Sequence, residues 1–349
     1  LGEALDFDAS DIHLEPQEDH AVVRYRIDGK LMRRWHPIPI RFYAPLVTRL
    51  KVLGKMDITE KRKPQDGRIA IFRNKKEIDF RLSTLPTRFG EKIVMRILDR
   101  SSFLVNLNRL IVIDEVYETV RGMVNQPYGI LFVAGPTGSG KTTTMYSAIM
   151  ERKDEGINIV TVEDPVEYSI PGITQVQINE ATNLGFSEAI RAFLRQDPDI
   201  IMVGETRDPQ TARHAMTAAL MGHLVFTSLH ANDAIGTILR LRDIGIETFL
   251  IANAVVGTIY QRLLRRICQV CREPFDYDED LLGRVRVDAG GETTTPVTYF
   301  RGRGCHACNG TGFRGRVAAY EVLRINEELR HLVSIGAETS KIREAARHA

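Results

Sequence analysis

The sequence is short of net charge and of long apolar runs, and each shortage removes a class of protein. Across 349 residues, 47 basic and 45 acidic side chains leave a net charge of +2. No bulk field therefore draws the chain to nucleic acid. No stretch reaches the ~20 apolar residues of a membrane-spanning helix; Phe249–Ile259 comes nearest and is interrupted by Asn253. There is no secretory signal and no internal repeat, and the initiating Met is missing. With a helix-like run, Lys341–Ala349, at the other end, both termini are expected to be fragment boundaries. What remains is a soluble globular chain, 43% hydrophobic, with material for two or three domains.

Two patterns divide it. In residues 1–100, alternating Val22–Ile27, then Asp28-Gly29, then Lys30–Trp35 predicts a β-hairpin. A second pair, Arg68–Phe72 and Glu77–Ser83, flanks an Asn74–Lys76 turn, and Pro45–Leu53 between the pairs has helical spacing. The register breaks at residues 101–114, the expected linker. Residues 115–349 then follow the alternating pattern of a parallel α/β domain. Its helices are punctuated by Asp208-Pro209 and Gly222, and by Asp233 and Gly245. Arg262–Arg266 reads as a solvated helix face, and Gly290–Pro296 as a flexible excursion.

The densest chemical signal is Gly135-Pro136-Thr137-Gly138-Ser139-Gly140-Lys141-Thr142, the phosphate-loop pattern, with Thr143 following. The apolar strand Ile130–Ala134 precedes it and the helix Lys141–Arg152 follows, which is the context the pattern requires. Backbone N–H groups and the helix dipole then cradle a polyphosphate, with Lys141 on the β/γ-phosphates and Thr142 on Mg²⁺.

In a doubly wound sheet, ligands sit beyond the carboxyl ends of the strands. The apolar runs after the loop end at Glu163, at Glu205 and near His230. If those runs are parallel neighbours of the loop strand, the three converge on a γ-phosphate and suit hydrolysis. One acid would position or deprotonate water; the other would order the Mg²⁺ shell, Glu205 through water because Gly204 stands where an aspartate is usual. Taken singly, each carboxylate would serve equally as a helix cap. Arg191 and Arg195, one helical turn apart, and Arg207 supply cationic support. Arg81 and Arg96 lie in the first domain and would reach a nucleotide by domain closure or from a neighbouring subunit, unless they form surface ion pairs.

The four cysteines form two C-x-x-C pairs, Cys268/Cys271 and Cys305/Cys308, which predict a closed, structural tetrahedral Zn²⁺ site, with His306 an alternative ligand and a redox pair the competing chemistry. Gly302, Gly304, Gly310 and Gly312 surround the second pair.

With these residues in place the chain resembles the secretion ATPases that power type II secretion and type IV pilus assembly, over essentially its whole length. Ala9–Pro16 resembles the opening of the family's second N-terminal domain and Gly135–Thr142 its Walker A loop. Thr161–Glu167 is similar to its Asp box, Asp197–Asp208 to its Walker B region and Gly222–His230 to its His box. The tetracysteine module resembles the assembly and secretion branch. The resemblance implies a RecA-like P-loop core with a parallel sheet, preceded by a smaller, PAS-like α/β domain (1–100). The core would carry a tetracysteine zinc insert (264–317) and end in a helical part (318–349). It also implies ATP with Mg²⁺ and a homo-hexamer in which Arg81 and Arg96 act in trans. Its partner would be an inner-membrane platform protein, and its place the cytoplasmic face of that membrane, with peripheral association through partners and no nucleic acid. Two alternatives remain: a nucleic-acid translocase with a zinc ribbon, and a scaffold that binds nucleotide without turnover.

Overall fold

The computed structural model describes residues 1–33, 36–73, 76–99, 105–277 and 298–347. By its contacts the chain divides into Leu1–Arg100 with Arg265–Val317, and Ser101–Leu264 with Ala318–Ala349. The Gly290–Pro296 excursion, Asn74 and Lys75 of the expected turn, Arg34 and Trp35, and 101–104 of the linker lie outside the described residues.

In the first unit, α1 (Gly2–Asp6) precedes an antiparallel sheet of β1 (Asp11–Pro16), β2 (His20–Ile27), β3 (Lys30–Arg33), β4 (Ile38–Pro39), β5 (Gln65–Arg73), β6 (Lys76–Thr87) and β7 (Gly90–Asp99). Their order is β3-β2-β1-β7-β6-β5, with β4 also on β2. The hairpin turn falls at Asp28-Gly29, both at positive φ (47° and 83°), the geometry that matches the twist of the flanking strands. Period-two alternation sends Ile12 and Leu14 of β1 into the core with Tyr43, Val47 and Leu50 of α2 (Ile40–Leu53). Asp11, His13 and Glu15 share the other face. Lys51 of α2 is 1% exposed; its ammonium donates to the Glu91 carboxylate at 2.9 Å and the Glu60 carbonyl at 2.6 Å. A buried charge is tolerable only with such partners.

The second unit holds the sheet that organises the chemistry. Its order is β10 (Thr174–Gln177), β9 (Ile159–Glu163), β11 (Ile200–Val203), β12 (Leu224–Leu229), β8 (Gly129–Ala134), β13 (Val255–Ile267), β14 (Phe313–Arg324), parallel from β10 through β13. The central strands are apolar on both faces because both are covered. Along β8, Ile130, Phe132 and Ala134 enter a core that also takes in α6 (Phe186–Phe193), α7 (Pro209–Leu220), α8 (Ala234–Asp243), α9 (Thr248–Ala254), α10 (Glu327–Ser334) and α11 (Thr339–Ala346). Leu131 and Val133 enter the other core, with α3 (Leu107–Leu110), α4 (Asp114–Val124) and α5 (Lys141–Arg152). The stretch expected to be linker thus contains α3, whose Leu107 is 1% exposed. Asp208 caps α7, accepting from Thr211 N at 2.9 Å, and Asp233 caps α8 through Gly236 N.

One expectation is corrected. Arg262–Arg266 is not a helix face but the end of strand β13, which starts at Val255 and pairs in parallel with β8. Its β-branched and aromatic run Val255–Tyr260 fits a pleated strand better than a helix, and the arginines continue it with mostly exposed side chains. Phe249–Ile259 is likewise split between α9 and β13, and among the described residues no helix is long and apolar enough to cross a membrane.

Candidate phosphate-loop site and cysteine cluster

The loop between β8 and α5 is built on glycines that no other residue replaces cheaply. Gly135 has φ 147°, and a Cβ there would lie 2.5 Å from the Gln261 carbonyl oxygen and 2.6 Å from Ser139 Oγ. Gly140, at φ 89°, is the N-cap of α5. Between them the chain turns so that Ser139 N donates to Pro136 O at 3.2 Å. Lys141 folds back over the loop, Nζ donating to Gly135 O at 2.9 Å and Pro136 O at 3.1 Å. Burial lowers the affinity of this amine for its proton below the ordinary lysine range, against the opposing pull of the Glu205 charge. A polyphosphate entering the loop would act against that lowering, and the loop carbonyls that now hold Lys141 would be exchanged for phosphate oxygens. Thr142 and Thr143 follow in the first turn of α5.

The strand ends bring two of the three expected groups together. Glu205 lies just beyond β11, with Oε1 3.1 Å from His230 Nε2 and Oε2 2.8 Å from the Arg207 guanidinium. Hydroxyls and backbone fix the two loops to each other. Ser228 Oγ donates to Gly204 O at 2.7 Å, Thr206 N donates to Ser228 O at 2.8 Å, and the buried hydroxyls of Thr206 and Thr227 pair at 2.8 Å. Sequence reasoning passed over these hydroxyls, although three polar residues ending apolar strands were a legible signal. The expected adjacency holds only in part: β12 adjoins β8, but β11 is one strand further out and β9 two.

Glu163 has hydrogen-bond partners of its own, although its Cα lies 3.4 Å from where a Cβ on Gly204 would stand. At the end of β9, 3% exposed, its carboxylate accepts from Thr161 Oγ1 at 2.6 Å, from Gln175 Nε2 at 3.0 Å and from the Tyr146 hydroxyl of α5. Among the described residues three donors, none of them cationic, hold the carboxylate. Burial, and then the adjacent Glu163 charge, push the Tyr146 phenol well above its ordinary range, so it stays a donor. Tyr168 packs edge-on against Tyr146, with centroids 4.6 Å apart. Glu163 thus ties the phosphate-loop helix to β9 and β10.

The arginines are placed as follows. Arg191 pairs with Glu188 at 3.3 Å on the outer side of α6, and Arg195 donates to Arg191 O at 3.0 Å. In the first unit Arg81 and Arg96 are direct partners across β6 and β7, and Arg96 reaches Asp11 at 3.3 Å.

The cysteines form a cluster. All four Sγ atoms lie within 4.8 Å of one another, with Cys268–Cys305 at 3.9 Å and both Cys271–Cys308 and Cys305–Cys308 at 3.8 Å. A tetrahedron of metal–sulfur bonds of about 2.3 Å has edges of about 3.8 Å, so the donors stand where one ion would take all four. None is in a disulfide, and His306 is not among the clustered ligands. Burial pushes the Cys271 thiol up, although Gly304 N–H donates to it at 3.3 Å. Burial acts the same way on Cys308, but N–H donors from Cys305 (3.1 Å) and Gly312 (3.3 Å) outweigh it and bring that thiol below its usual range. Donors of this kind stabilise thiolate, the form that ligates metal.

Comparison with known proteins agrees with this construction. The family model for type II/IV secretion system protein matches residues 1–349. The chain is 46% identical over 349 residues to type II secretion system protein HxcR of Pseudomonas aeruginosa, spanning 100% of this chain and 70% of that protein. It is 44% identical over 347 residues to the type IV pilus assembly ATPase PilB of Thermus thermophilus, spanning 99% of this chain but 39% of that one. Among solved structures, the pilus retraction motor PilT with bound ADP superposes with a TM-score of 0.65 at 28% identity, covering 99% of this chain and 86% of PilT.

Proposed function

The chain belongs to the type II/IV secretion system protein family, and from that premise we propose that it is a motor ATPase that hydrolyses ATP to drive assembly of a pilus or of a secretion pseudopilus. The observation that carries this reading is the phosphate loop itself: Lys141 sits on glycine-turned backbone at the N-terminus of α5, within the electrostatic reach of Glu205.

In the proposed reaction Lys141 and the loop N–H groups bind the β- and γ-phosphates, and Thr142 would hold a Mg²⁺ whose charge would offset that of the phosphates. Glu205, oriented by His230 and Arg207, polarises the attacking water or orders the metal's water shell. Glu163, tied through Tyr146 to the phosphate-loop helix, is the second acid proposed for that step. Arg191 and Arg195 add positive potential. Arg81 and Arg96 neutralise transition-state charge across a subunit boundary in a homo-hexamer.

Residues 1–100 then act as an arginine-bearing domain and 115–349 as the ATPase domain, with a structural Zn²⁺ held by Cys268, Cys271, Cys305 and Cys308. The sulfur–sulfur spacing supports that ion. The motor works at the cytoplasmic face of the inner membrane, attached through a platform protein.

The test is steady-state phosphate release by the full-length protein, alone and with Lys141→Ala. Turnover abolished by Lys141→Ala, and raised by acidic lipid vesicles but not by duplex DNA, supports the reading. A rate raised by DNA alone would make the protein a nucleic-acid translocase. Nucleotide binding without any turnover would make it a scaffold.

A further inference from the structure

Gln261 is 1% exposed on β13, 122 residues along the chain from Ser139, yet it touches the phosphate loop at both ends. Its Nε2 donates to Ser139 O at 2.6 Å, and its Oε1 accepts from Thr144 Oγ1 in α5 at 2.8 Å. Its own carbonyl closes against Gly135, and its Nε2 lies 3.2 Å from where a Gly140 Cβ would stand. Ser139 Oγ, by contrast, is buried and has no hydrogen-bond partner among the described residues. Residue 139 is therefore held by its N–H in the turn to Pro136 and by its carbonyl on Gln261.

A trans peptide directs its C=O and its N–H in opposite senses. Because Gln261 draws the Ser139 carbonyl inward, the N–H of Gly140 in the same peptide is turned the other way, toward the mouth of the loop where an anion would sit. The amide cannot flip without placing its oxygen against Ser139 O and its NH₂ against Thr144. Thr144 Oγ1 is likewise kept from turning back on its own helix carbonyl. We infer that Gln261 is a positioning residue for nucleotide binding, setting the peptide between Ser139 and Gly140 so that the loop presents its N–H groups to phosphate before phosphate arrives. The inference rests on the ATPase reading and adds to it a residue from outside the loop.

The experiment compares full-length wild type, Gln261→Glu and Thr144→Val for Mg·ADP affinity, kcat and KM for ATP, and melting temperature. Gln261→Glu keeps the shape, but its carboxylate has no donor for Ser139 O. Above neutrality Mg·ADP affinity should fall and KM rise by about tenfold, with a smaller change in kcat, the size expected from one misaimed donor at a charged ligand, and Thr144→Val, which brings no charge, separates this from repulsion between the new carboxylate and the phosphates.

The neutral acid restores one donor and one acceptor, and burial raises the pKa of such a carboxyl. Lowering the pH to about 6 should therefore recover most of the affinity in this variant alone. Wild type and Thr144→Val are followed over the same pH range, so that the titration of groups all three proteins share, Lys141, Glu205, Tyr320, Tyr260 and Arg262 among them, is read directly. Thr144→Val should weaken Mg·ADP binding by about threefold, and it carries the test if Gln261→Glu fails to fold.

Affinity within about twofold of wild type at every pH, or a loss that tracks melting temperature and is not recovered on acidification, would overturn the inference. Wild type that binds neither ADP nor ATP would instead overturn the reading on which it rests.

Discussion

Replacing Glu205 by Gln separates chemistry from architecture more cleanly than any other single change in this site. The amide has the size of the carboxylate, so its oxygen can still accept from Arg207 at the present 2.8 Å, and the NH₂ can face His230 at 3.1 Å. Only the charge is lost. Side chains of Arg207 and His230 are 63% and 52% exposed, so solvent screens both pairs and their combined loss costs below about 1 kcal/mol. In a domain of this size that is a melting shift of about 2–4 °C at most.

Nucleotide binding should hold or tighten slightly, because a negative charge acting on Lys141 is removed from the neighbourhood of a polyphosphate. Turnover is another matter. A general base or an ordered metal shell contributes about 10²–10⁴ in rate, about 3–5 kcal/mol of barrier. The assay is paired: equilibrium binding of Mg·ATP by calorimetry and phosphate release at saturating ATP, both on protein shown to be folded by circular dichroism. A folded Glu205→Gln protein hydrolysing ATP within about threefold of wild type would remove Glu205 from the chemistry and shift the acid role to Glu163.

Four other outcomes follow from the same geometry. Cys268→Ser should lose the metal and unfold the cysteine module while leaving the nucleotide core folded; metal analysis should find one Zn²⁺ per wild-type chain, and metal-free wild type with a Cys268–Cys271 disulfide would sink the site. Tyr146→Phe removes one of three donors to buried Glu163 and should cost about 1–3 kcal/mol in chemical denaturation; an unchanged midpoint would show that the hydroxyl contributes nothing to this tie. Lys51→Met leaves the Glu91 carboxylate buried and alone, a loss of about 3–5 kcal/mol that Lys51→Met with Glu91→Leu should largely recover; equal losses in single and double variants would refute the pairing argument. Arg81→Ala and Arg96→Ala should lower turnover more than nucleotide affinity, and mixing Arg96→Ala with Lys141→Ala chains should partly restore activity; mixed rings with no gain over the separate chains would place the arginines in ion pairs within one chain.

The sequence by itself determined whatever depends on neighbours along the chain. A phosphate loop is a contiguous strand, turn and helix, so its eight residues and its place in the fold were readable from spacing. The Asp208 and Asp233 caps were equally local, and so was the Asp28-Gly29 hairpin. The cysteine pairs were legible because metal ligands come in short knuckles, although only the folded chain shows four sulfurs at tetrahedral spacing.

Strand order was not legible, because parallel strands are joined by crossovers whose length does not say where the next strand inserts. Hence the expectation that three strand ends converge: Glu205 and His230 meet, while Glu163, two strands beyond β12, turns to Tyr146 and Gln175. Arg262–Arg266 was misread for a related reason. A basic run carries no period of its own, and it is pairing with distant chain that makes β13 a strand. Gln261 was invisible in the same way. One glutamine after an apolar run announces nothing until tertiary folding places it under a loop 122 residues away, where burial obliges both ends of its amide to find partners.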